Sequence, residues 1–183
     1  QAGIRQAGIL LQGSVAEQKN IVLLSDGEPT CSYAIKNINN NLNPNYFVKS
    51  GSRWYTRDDL AESVYNYSAT AGDGTSMTTK ISGLYYYHHG HSAIAEARFV
   101  RGSGITVYSV GLSAGTEGQD ILNRVASPDK SYEATPGDLA AIFQTIAGSI
   151  SHAATDATVT DPVGEMFSIP GITAENYASL VEV

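Results

Sequence analysis

The chain has 183 residues, enough for one domain with a substantial core and too few for two comfortable ones. A net charge of −7 and a pI near 4.9 exclude the basic face that a phosphate backbone needs, so nucleic acid is not an expected partner. No apolar run approaches the roughly 18–20 residues of a membrane span, so no membrane insertion is expected. A lone cysteine, Cys31, rules out an internal disulfide framework. The chain opens at Gln1 directly into an amphipathic pattern, without an initiating Met or a signal peptide, and reads as a piece of a longer protein.

In chain order, Ile4, Ala7, Leu10 and Leu11 fall at helical spacing and predict a helix from Gln1 to about Gln12. The run Asn20-Ile21-Val22-Leu23-Leu24-Ser25 is apolar without alternation, the pattern of a strand covered on both faces in a parallel sheet. It stops at Asp26-Gly27-Glu28-Pro29-Thr30. From about Cys31 to His91 the periodicity fades. This stretch holds eight of the eleven Tyr residues, the only Trp (Trp54) and an Asn-rich run from Asn37 to Asn45. A connection this long between a strand and its crossover helix is expected to be functional or independently folded.

The alternation then resumes. Ile94, Ala97 and Phe99 or Val100 mark a helix over Ser92 to Val100, and Ile105 to Leu112 is a second β-rich run. A helix is expected over Gln119 to Val125 and a short strand over Ser131 to Ala134. Thr135-Pro136-Gly137-Asp138 opens a last helix to Ile150, with Leu139, Ile142, Phe143, Ile146 and Ile150 on one face. Helices and strands in this order spell an α/β, doubly wound, mostly parallel sheet with a long Tyr/Asn-rich insertion. The domain is expected over residues 1–152, with the insertion at about 31–91. Residues 153–183 turn and alternate like β-strands leading into a following β-sandwich-like domain.

In doubly wound sheets, ligands bind beyond the carboxyl ends of strands. Ser25 to Thr30 is the marked loop in that position, with Asp26 projecting and Gly27 allowing a sharp turn. Two readings of it stand from the residues alone. It is a simple turn with Asp26 capping the next element, or a hard-oxygen corner for Mg²⁺ or Mn²⁺ that keeps several waters. His88, His89 and His91 read either as a transition-metal cluster or as solvated residues leading into a helix. Trp54, Tyr85, Tyr86 and Tyr87 form a contact surface, or they pack the insertion onto the body. Ser25 as a hydrolytic nucleophile lacks a Gly-x-Ser-x-Gly elbow and a marked His base.

The run Lys19 to Thr30 resembles the fourth-strand motif of von Willebrand factor A domains. Ile105 to Leu112 is similar to the family's next strand, and Ser131 to Ile150 to its closing strand and helix. The opening Gln1 to Ala7 resembles the helix after the family's metal-binding Thr loop. With the tail Ala157 to Phe167, the likeness is to tip adhesins of Gram-positive, streptococcal-type pili. The resemblance implies a cell-wall-anchored, extracellular module that is not an enzyme. It implies binding of collagen, fibronectin, laminin or a similar matrix protein through a metal-ion-dependent adhesion site, and partnership with pilus backbone subunits. The same fold also serves intracellular chelatase or co-chaperone complexes, the alternative reading.

The family's site draws on an Asp-x-Ser-x-Ser loop, a Thr loop and the Asp of this strand. Only the last matches here, at Asp26, with Glu28 in a supporting position. A Mg²⁺, Mn²⁺ or Ca²⁺ ion would therefore need ligands absent from this chain, because one carboxylate leaves water to supply nearly everything.

Overall fold

In the computed structural model, which describes residues 1–39 and 42–151, the apolar runs become the strands of a parallel sheet. The elements are α1 (Ala2–Gln12), β1 (Asn20–Ser25), β2 (Ser32–Ile35), β3 (Phe47–Ser50), β4 (Arg53–Thr56), β5 (Tyr65–Ala71) and β6 (Thr78–Ser82). They continue through β7 (Tyr85–His88), α2 (His89–Gly102), β8 (Thr106–Leu112), α3 (Thr116–Val125), β9 (Ser131–Ala134) and α4 (Leu139–Ser151). The β-rich tail expected over 153–183 lies outside the described residues.

The main sheet has the order β1-β8-β9, with both pairings parallel. Strand β8 sits in the middle and is covered on both sides: Val107 through Gly111 are all buried, Ser109 with its hydroxyl donating to the Leu122 carbonyl. On one face Val107 packs with Ile21, Ile4, Ala93, Ile94, Ala97, Val100, Ile121 and Val125, so α1, α2 and α3 share that side. On the other, Tyr108 and Val110 meet Ala134 of β9 and Ile146 of α4. Helices on two faces of a parallel sheet make the architecture doubly wound, as the alternation predicts.

Two details depart from the sequence pattern. Strand β1 is an edge: Val22 and Leu24, paired with Tyr108 and Val110, are 42% and 45% exposed. Among the described residues α4 packs under β8 and β9 and leaves β1 uncovered on that face. In α4, Leu139, Ile142, Ile146 and Ile150 face the sheet while Phe143 stands out toward solvent, because one residue past Ile142 is a rotation of about 100°.

The stretch between β1 and α2 is folded. Strands β2 and β5 pair antiparallel, and the order β3-β4-β7-β6 makes a four-stranded sheet. Their shared core is Ile35, Ile38, Phe47, Leu60, Tyr65, Tyr87 and Ala95, so α2 contributes to this core as well as to the main one. Strand β7 runs into α2 without a loop. The helix therefore begins at His89, earlier than Ser92, and the His88 ring accepts the His91 amide as its cap.

At the far end, the Arg101 guanidinium of α2 donates to the carbonyls of Arg124, Val125 and Ala126. These are the last carbonyls of α3, which lack partners within their own helix, and a cation is favoured there by the helix dipole. Hydrogen bonds to a charged donor contribute about 1.5–3 kcal/mol. Arg101→Ala is expected to lower unfolding free energy by about that much, read as a shift of the urea midpoint at unchanged slope.

Candidate functional site

Asp26 follows the last residue of β1, at the carboxyl end of the main sheet, and its side chain is exposed. The turn is held locally: the Gly27 amide donates to Ser25 Oγ at 3.0 Å and the Glu28 amide to Asp26 Oδ1 at 3.3 Å. Gly27 has φ +80, and a Cβ there would lie 2.5 Å from the Gly118 carbonyl oxygen. A Cβ on Gly118 would in turn lie 2.8 Å from the Asp26 carbonyl oxygen. Two backbones that touch at paired glycines press the Asp26 loop against the first turns of α3. Glu28 reaches the same place, its Oε1 at 3.4 Å from where a Gly115 Cβ would stand, and Glu117 lies in the first turn of α3.

Asp26, Glu28 and Glu117 thus gather at one exposed end of the sheet. Among the described residues no group of three or more His, Cys, Asp or Glu is placed to hold an ion. Asp26 supplies one carboxylate of the right chemistry, and the described residues do not complete a metal site around it. Ser25 Oγ accepts the Gly27 amide, and no described histidine bonds to it.

The histidines are not solvated, contrary to the sequence reading. His89 is fully buried. Its Nδ1 pairs with Ser32 Oγ at 2.8 Å and its Nε2 with Thr79 Oγ1 at 2.9 Å, while its ring stacks on Tyr87. Gly72, at φ +102, passes so close that a Cβ would lie 2.9 Å from Nε2. The ring therefore joins β2, the turn after β5, β6 and α2. Burial holds it neutral, with its pKa pushed down to about 4. His88 and His91 stack with centroids 3.9 Å apart. His91 Nδ1 is 2.6 Å from the Thr56 carbonyl, and His88 Nε2 is 3.4 Å from Glu117 Oε1. Burial first, then the neighbouring imidazoles, bring His88 down to about 4 as well.

The aromatic residues divide by strand parity. Tyr87 is buried, and its phenol oxygen accepts the Ile35 amide at 3.1 Å. Trp54 and Tyr85 stack at 6.0 Å and pack with Phe47 against the insertion core. Tyr87 lies in the insertion core, and Trp54 and Tyr85, half-buried, pack against it. Tyr86 alone points to the opposite face.

A buried acid went unread in the sequence. Glu96 of α2 is 1% exposed and meets Arg5 of α1 at 3.1 Å and Gln1 Nε2 at 3.2 Å. Desolvation raises its pKa, against the pull of Arg5. Arg5 also binds Glu62 of the insertion at 2.6 Å and lies 3.4 Å from the Tyr67 ring centroid. An acid one residue from Ala95 and Ala97, in an Ala-rich stretch, is the signal that could have found it.

No family model matches the chain. It is similar to the minor fimbrium subunit Mfa5 of Porphyromonas gingivalis, with 28% identity over 94% of this chain, and it spans 18% of that protein's length. Among solved structures it is similar to the vWF domain of the type V pili tip protein Mfa5 from the same organism. That likeness has 26% identity and a TM-score of 0.70, over 87% of this chain and 69% of that one. The pilus adhesin SpaC from Lactobacillus rhamnosus GG shares the fold, with 19% identity and a TM-score of 0.59, over 81% of this chain and 18% of that one.

Because His89 is neutral when folded and takes a proton near pH 6.5 when unfolded, stability is full above that value and is lost as pH falls toward 4. The loss attributable to His89 is on the order of 3 kcal/mol. Chemical denaturation between pH 4 and 7 is expected to show this slope, and His89→Gln to lower it by one proton. Gly118→Ala, with no φ penalty, is expected to cost about 1–3 kcal/mol by overpacking against the Asp26 backbone, seen as a lower melting temperature.

Proposed function

We propose that this von Willebrand factor A-type domain, of the pilus-tip kind, is an adhesive module of a longer cell-surface protein, gripping an acidic residue of a matrix protein. The observation that carries the reading is the position of Asp26: an exposed carboxylate at the carboxyl end of a parallel strand, held by the Gly27–Gly118 contact. Its similarity to pilus-tip vWF domains supports the same use.

A bound Mg²⁺, Mn²⁺ or Ca²⁺ would supply a hard positive centre with one coordination position for the partner's carboxylate. Asp26 would contribute a ligand, Glu28 would assist from the supporting position the family resemblance implies, and the remaining ligands would come from residues outside this chain. No bond is made or broken, so the module is not an enzyme. Matrix proteins such as collagen, fibronectin or laminin are the partner class, pilus backbone subunits are neighbours through the parent protein, and the setting is extracellular at a bacterial cell surface, with anchoring to the cell wall through the parent protein. An intracellular chelatase scaffold draws no support from pilus-tip relatives.

Isothermal titration of Mg²⁺ and Mn²⁺ into the full-length parent is expected to show saturable binding that Asp26→Ala removes. Since Asp26 is exposed, the variant is expected to melt like the parent. Equal binding in both proteins would end the metal-dependent reading.

A further inference from the structure

The four-stranded inserted sheet has two faces with different chemistry, fixed by the period of two along each strand. Phe47, Trp54, Thr56, Tyr85 and Tyr87 share the inner face and its core. On the outer face, register aligns Val48 with Tyr55, Tyr55 with Tyr86, and Tyr86 with Lys80, one row across all four strands. Tyr55 and Tyr86 have ring centroids 5.8 Å apart, and the Arg53 guanidinium lies 5.0 Å from the Tyr86 centroid. Val48 is 43% exposed, and Arg53 and Lys80 are exposed.

Burial in the insertion core does not account for this row, and the ion pairs among the described residues do not use its cations. Arg53 and Lys80 meet no carboxylate of the described residues, on a chain whose net charge is −7. Arg53, hydrogen-bonded to Tyr55 and lying over the Tyr86 ring, and Lys80 beside it give the tyrosine pair a positive surround with no carboxylate partner among the described residues. This complements a partner that brings negative charge and flat apolar groups together. Three inter-strand spacings make the row about 14 Å wide, the length of roughly four residues of extended chain. The row also leads toward the proposed adhesion site: His88, edge-on to Tyr55 at 5.8 Å, lies 3.4 Å from Glu117 of α3, the helix that supports the Asp26 loop.

We propose that the outer face of the β3-β4-β7-β6 sheet docks an extended, acidic segment of a partner protein, its carboxylates on Arg53 and Lys80 and its aromatic or proline side chains on Tyr55 and Tyr86. The inference rests on the adhesive reading of the domain but not on a metal. The surface is rigid before binding, because β7 continues into α2 and His89 pins the sheet's stem. Little ordering cost then falls on the protein when the segment binds.

The test is selection of random peptides displayed on phage against the full-length parent in EDTA, followed by affinity measurement of the enriched peptide. Sequences pairing Asp or Glu with aromatic residues or Pro are expected. Joint Arg53→Glu and Lys80→Glu is expected to weaken the enriched peptide about tenfold or more, and Tyr86→Ala by a smaller factor. Asp26→Ala and the absence of metal are expected to leave it unchanged, so failure of the metal site and failure of this face are separable. Melting curves matching the parent confirm that the exposed substitutions leave the fold intact. Enrichment without acidic residues, or an affinity indifferent to charge reversal, would overturn the proposal. So would retention on a sulfated glycosaminoglycan that charge reversal abolishes while no acidic peptide is selected.

Discussion

One buried imidazole decides how much of this molecule moves as a unit. His89 is the first residue of α2 and is closed off from solvent, with both ring nitrogens engaged by hydroxyls from the insertion. A helix start is ordinarily a place of loose polar ends. Here it is a junction where β7 has just ended, β2 and β6 arrive through Ser32 and Thr79, and the Gly72 turn closes over the ring. Neutrality is the condition for this packing, since a buried imidazolium would lack a counter-charge in contact. An insertion that hangs from a loop can swing. One whose strand becomes a body helix, around a dry side chain, cannot do so without opening a core.

Charge placement reinforces the same junction about two turns further along nearly the same face of α2. Glu96 is buried beneath Arg5, and Arg5 spans from α1 to Glu62 of the insertion while lying over Tyr67. The half-buried pair with Glu96 is a weak source of net stability, because desolvation offsets most of its attraction. Its value is directional: it fixes which face of α1 meets α2 and keeps the insertion's acid at that corner. On the surface, Arg124 of α3 pairs with Asp58 of the insertion. The insertion is thus tied to α1, α2 and α3 separately, and the end of the sheet that carries Asp26 is built on the last of these.

The main sheet could be read from sequence because its signal is local. Asn20 to Ser25 and Ser131 to Ala134 fold with the ends the residues mark, and the helices differ mainly at their first turns. The insertion could not, since its short strands carry tyrosines whose rings suit both a core and a surface. Only the pairing register says that Tyr85 and Tyr87 turn inward while Tyr86 turns outward. The histidines failed for a related reason. Three imidazoles in four residues look polar, and the hydroxyls that make His89 a core residue lie 57 positions before it and 10 before it. Asp26 was legible as a position at a strand end. The glycine that shapes its loop from the other side, Gly118, carries no mark in the sequence.

Rigidity gives these separate features a common consequence. A single carboxylate at the end of a sheet offers a partner little area and little selectivity, since any acid that reaches a metal satisfies it. A second surface adds discrimination only if its distance from the first is fixed; a mobile arm would spend its contact energy on being ordered. The His89 junction, the Arg5–Glu96 pair and the Arg124–Asp58 pair all oppose that loss. They hold the inserted sheet to the helices beside the Asp26 loop before any partner arrives. The chain length spent on the insertion is then intelligible as a second, prepositioned face, and the tyrosines divide accordingly: the inward rings make the sheet stiff, and the outward ones, half-buried beside Arg53, line the proposed face.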